Sequence, residues 1–109
     1  MLEPILGNRT AEKVLLYLQN YEEGYGKGIA DTYLISLNAV QNQLIKFEAG
    51  GVIVSHLKGR TRIYSWNPRY PFLNSLRQLL NEVFAYLPDA EIKAYYRQRQ
   101  RPRRAGKPL

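Results

Sequence analysis

Residues 35–53, ISLNAVQNQLIKFEAGGVI, decide how this chain folds. Ser36 is a good helix N-cap, and Val40, Leu44 and Phe47 follow at i, i+4 and i+7, a spacing that places three apolar side chains on one helical face. Gly50-Gly51 supplies a left-handed stop, and Val52-Ile53 opens a β-branched run. The stretch therefore reads as a helix over about Ser36 to Ala49, seated on a core by one face and passed to a strand at its end. With Val40, Leu44 and Phe47 inward, the outer side presents Asn38, Ala39, Gln41, Asn42, Gln43 and Lys46.

Downstream, Val52 to Leu57 and Arg62 to Trp66 are rich in β-branched and aromatic residues, and Lys58-Gly59-Arg60-Thr61 provides a glycine turn between them. This is a β-hairpin with Lys58, Arg60 and Arg62 at its tip. After Pro71, Phe72, Leu73, Leu76, Leu79, Leu80, Val83 and Leu87 mark a long apolar helix to about Tyr86. Its stripe is wide enough to need burial on more than one side, so Leu76, Leu79, Leu80 and Val83 are expected to form a homodimer interface. Upstream, a shorter helix from about Lys27 to Leu34 turns Ile29, Ala30, Tyr33 and Leu34 inward. Tyr21 to Gly28, with three glycines, reads as a loop. Asn8 caps a helix over Arg9 to about Asn20, buried through Ala11, Val14, Leu15 and Leu18. Leu2, Ile5 and Leu6 suit a short turn or helix that ends at Gly7.

The 109 residues suit one core, and 45% hydrophobic against 23% charged is globular composition. The net charge of +7 is unevenly placed: residues 1–87 hold 9 basic against 7 acidic residues, residues 88–109 hold 7 against 2. The division expected is a folded domain over 1–87, then a C-terminal helix and a basic, partly disordered tail over 88–109. Pro88 interrupts the long helix, Asp89-Ala90-Glu91 begins another that runs to about Gln100, and a proline- and glycine-containing tail follows. Arg97, Arg99, Arg101, Arg103, Arg104 and Lys107, with Tyr95 and Tyr96 beside them, suit contact with nucleic acid, docking on an acidic protein partner, or solubilisation alone. No apolar run approaches the ~20 residues of a membrane helix, and the start lacks a signal-peptide layout, so a cytoplasmic address with no membrane partner is expected.

The order helix, helix, turn, helix, glycine, basic-tipped hairpin, helix resembles bacterial and archaeal winged helix-turn-helix regulators of the arsenic-repressor-like (ArsR-like) group, over about Asn8 to Val83. Ile35 to Ile53 is similar to that group's recognition helix, glycine exit and first wing strand, and Arg60 to Pro68 to its second wing strand. The resemblance implies a mainly α fold with a small β-hairpin and a long C-terminal dimerisation helix. It also implies a transcriptional regulator that binds double-stranded DNA as a homodimer.

The exposed chemistry points the same way. Asn and Gln pair bidentately with adenine edges, which suits Asn38, Gln41, Asn42 and Gln43 to base reading in a major groove. Ser36, Lys46, Lys58, Arg60 and Arg62 suit the backbone. The rival reading keeps the fold and makes it an adaptor that docks a protein through the helix face or the basic tail. An enzyme is not expected, since the single histidine, His56, lies in a strand without a partnering carboxylate. Zero cysteines and one histidine leave no metal cluster, and no glycine-rich phosphate loop or other cofactor signature is found.

Overall fold

The computed structural model describes residues 1–96 of the chain. Among these residues, six helices, α1 (Glu3–Leu6), α2 (Arg9–Tyr21), α3 (Gly26–Tyr33), α4 (Leu37–Ala49), α5 (Leu73–Tyr86) and α6 (Asp89–Tyr95), accompany a three-stranded antiparallel sheet of β1 (Glu23–Gly24), β2 (Ile53–Lys58) and β3 (Thr61–Trp66). Local chemistry sets the helix ends. Asn8 Oδ1 accepts the Ala11 N–H at 2.7 Å and Ser36 Oγ accepts the Ala39 N–H at 3.1 Å, each satisfying a donor that a first turn leaves unpaired. Gly51, with φ of +78°, stops α4 where a side chain would be strained.

The hairpin pairs from Ile53 opposite Trp66 to Lys58 opposite Thr61, and β1 adds to the other edge of β3 through Glu23 opposite Ser65 and Gly24 opposite Tyr64. This third strand corrects the expected loop over Tyr21 to Gly28. Two residues are too few to show a period of two, and three glycines point to a turn. Gly24 serves close approach instead: a Cβ there would lie 2.5 Å from Tyr17 Cε1. Gly24→Ala is therefore expected to cost about 1–3 kcal/mol, read as a lowered urea midpoint.

The core joins α2, α3, α4, β2 and α5 through Val14, Leu15, Leu18, Ile29, Val40, Leu44, Ile53 and Leu80, all fully buried. Leu80 and Val83 thus pack within the chain's own core and are not free for a partner, which corrects their place in the dimer interface. Leu76 is half-buried and Leu79 is exposed. The error is one of helical phase: the stripe is wide because α5 uses one edge for the core and leaves another outside. Leu34, expected inward, is 90% exposed, because it takes the left-handed conformation (φ 57°) that ends α3 and turns its side chain away.

α6 corrects two expectations. The helix stops at Tyr95, with the Tyr96 N–H donating to Ile92 O, and the residues to Gln100 lie outside the described ones. The Tyr96 side chain belongs to the core and is not free to act with the cations that follow it. It is 1% exposed, edge-on to Phe84 with ring centroids 4.9 Å apart, and its hydroxyl meets that of Tyr33 at 2.7 Å. The Tyr21 hydroxyl donates to the Tyr95 carbonyl, and Lys13 Nζ lies 4.9 Å from the Tyr33 ring centroid. Burial and the adjoining Tyr96 hydroxyl push the Tyr33 phenol far above its ordinary pKa, and burial raises Tyr96 as well, so both stay neutral. Residues 88–96 therefore share the core of residues 1–87.

Candidate nucleic-acid interface

α3 and α4 are joined by Leu34, Ile35 and Ser36, with the Ile35 N–H donating to Ala30 O at 3.0 Å. The two helices sit close at their starts, since a Cβ on Gly26 would lie 3.3 Å from Leu37 Cδ1 and 3.5 Å from Gln41 Cγ. With Val40, Leu44 and Phe47 inward, α4 leaves Asn38, Gln41, Asn42 and Lys46 exposed. Gln43 differs. It sits on the inner flank between Val40 and Phe47, half-buried, with Oε1 buried and lacking a hydrogen-bond partner among the described residues. Its helical phase, three residues after Val40, corrects its assignment to the outward face. Ser36 Oγ is engaged as a cap acceptor, and its hydroxyl proton is still available to donate.

A groove of about 490 Å³ separates the start of α3 from the hairpin, lined by Lys27, Leu37, Gln41, Arg60, Arg62 and Tyr64 among others. It brings the amide of Gln41 and two of the predicted tip cations onto one surface. Lys58, at the end of β2, is exposed at the same tip. Lys27 is an addition. It hides in the glycine-rich stretch and forms an exposed pair with Asp31 at 3.3 Å, a contact of only a few tenths of a kcal/mol that competing anions displace easily.

One connection across this surface was invisible in the sequence. Arg62 Nη1 donates to Ser55 Oγ at 3.0 Å, and the Ser55 hydroxyl donates to Glu48 Oε2 at 2.7 Å, which ties the last turn of α4 to both hairpin strands. Ser55 faces Tyr64 across the ladder, whose phenol is raised by partial burial and by the Glu48 carboxylate, with Arg62 opposing. A serine seven residues from each partner leaves no local pattern; only the hairpin register brings the three together. The tail cations Arg97, Arg99, Arg101, Arg103, Arg104 and Lys107 lie outside the described residues.

No family model and no curated protein matches the chain. Among solved structures it is similar to a MarR-family transcriptional regulator from Rhodococcus sp. RHA1, at 16% identity and TM-score 0.53, over 98% of this chain and 80% of that one. The chain has a winged-helix fold. A double-substituted form of ZitR from Lactococcus lactis is also similar, at 19% identity and TM-score 0.50, over 78% of this chain and 66% of that one. The winged helix is mostly helical with its small antiparallel sheet, and the arsenic-repressor-like resemblance reaches no further than this fold. Among the described residues, no helix is long and apolar enough to cross a membrane.

Proposed function

We propose that this winged-helix protein is a transcriptional regulator, not an enzyme, that binds double-stranded DNA in a sequence-specific manner. The observation that carries the reading is the juxtaposition of exposed amides on α4 with the cation-lined groove beside the hairpin. A major groove admits one helix, and Asn38, Gln41 and Asn42 offer it bidentate partners for adenine edges. Ser36, Lys27, Lys46, Lys58, Arg60 and Arg62 take the phosphates, with the tail from Arg97 adding charge. The two solved regulators of similar fold agree with a regulatory role.

The protein acts as a homodimer in this reading, through a seam shifted from the one the sequence suggests. Phe72, Leu79 and Tyr86 are spaced by seven and are 65%, 39% and 76% exposed, with half-buried Leu76 between the first two. Such a row is self-complementary about a two-fold axis and leaves the core residues of α5 in place. Two α4 helices then address half-sites about one helical turn apart. The rival adaptor reading draws on Leu34, exposed in the turn between α3 and α4, as an apolar contact for a protein.

Selection of bound sequences from random duplex DNA tests the proposal. A roughly palindromic consensus is expected, and recovery of no consensus favours the adaptor. If each subunit neutralises about four phosphates, log affinity against log salt falls with a slope of about −7 for the dimer. Deleting residues 97–109 is expected to flatten that slope and weaken all duplexes alike, with the consensus unchanged. An affinity for duplex DNA that does not vary with salt overturns the reading.

A further inference from the structure

Ile45 is the one large apolar side chain placed among the outward amides of α4. It is 61% exposed, and it is not among the hydrophobic residues packed on the core. A single exposed isoleucine is ordinary on a protein surface. The position is what gives this one meaning: Ile45 follows Asn42 by three residues and Asn38 by seven, so the three form a single row along the face opposite Val40, Leu44 and Phe47. The row spans about 10 Å at 1.5 Å per residue, roughly three base-pair steps of 3.4 Å. Leu37, also partly exposed, lies off this row, against the start of α3.

In a major groove an amide and an aliphatic group read different features of the same kind of base pair. The amide pairs with N6 and N7 of adenine, and an apolar side chain meets the C5 methyl, which thymine alone carries. We propose that Ile45 is a specificity residue that contacts a thymine methyl next to the adenine edge read by Asn42, so that each half-site holds a thymine at that place. This rests on the DNA-binding reading above. A polar side chain at 45 would distinguish thymine from cytosine only by hydrogen bonding, whereas Ile45 does so by burying one methyl group.

The test uses the full chain and the duplex recovered by selection. Each thymine of one half-site is replaced in turn by deoxyuridine, which removes the methyl and leaves every hydrogen-bonding group in place. Wild-type protein is expected to lose about fourfold in affinity at a single position, the effect of one methyl buried, and at no other. Ile45→Ala is expected to bind the parent duplex about that much more weakly and to be indifferent to deoxyuridine there, with an unchanged melting temperature because the side chain is exposed. Ile45→Val, which keeps a branched apolar end, retains part of the discrimination. Wild-type binding unchanged by deoxyuridine at all positions overturns the proposal while the DNA reading stands, as does an Ile45→Ala protein that still discriminates. Absence of duplex binding by wild-type protein overturns both.

Discussion

Replacing Gln41, Asn42 and Lys46 together by alanine is expected to lower affinity for the preferred duplex at least about 100-fold, measured by fluorescence anisotropy at fixed salt. Each bidentate amide contact contributes about 1–3 kcal/mol of discrimination, and the lysine adds a phosphate contact. All three side chains are exposed on α4, so circular dichroism and the melting temperature should match wild type. That pairing of results separates the two functional readings. Retained affinity would remove α4 as the reading element and leave the adaptor in its place.

Truncating Tyr96 is expected to have the largest effect on stability. Tyr96→Ala empties a fully buried aromatic site between Tyr33 and Phe84, at about 3–5 kcal/mol. Against the roughly 5–15 kcal/mol of a domain this size, that lowers the melting temperature by about 15–30 °C. Tyr96→Phe keeps the ring and strands the Tyr33 hydroxyl, which costs about 1–3 kcal/mol. The double variant Tyr33→Phe with Tyr96→Phe recovers most of that loss, because both ends of the pair become apolar together. Urea denaturation of wild type, Tyr33→Phe, Tyr96→Phe and the double variant completes the cycle. Equal stability of Tyr96→Ala and wild type would remove Tyr96 from the core.

The sequence displayed the elements whose signals are local. Caps at Asn8 and Ser36, the repeats Ala11-Val14-Leu15-Leu18 and Val40-Leu44-Phe47, and the glycine-centred hairpin all appear where their spacing places them. What it hid depends on contacts distant along the chain. β1 is only two residues long and exists because β3 offers it an edge. Tyr96 looked like part of a basic segment because cationic residues follow it, yet its ring has a place 63 residues away beside Tyr33. Gln43 and Leu34 were misplaced by a fraction of a turn and by one left-handed residue. The outward row of α4 is legible as amides, whereas the exposure of Ile45 among them is seen only in the structure.

The anchoring of Tyr96 bears on the residues that follow it. Because Tyr96 is fixed on Tyr33, at the end of α3 that leads into the turn before α4, the stretch from Arg97 starts from a fixed tether on the helix-turn-helix. In the DNA-binding reading proposed above, a polyanion held on α4 would meet those cations as groups of the same molecule, at an effective concentration that intramolecular attachment raises. Contacts too weak to form between separate molecules would be populated under that condition, and would add avidity without adding sequence preference.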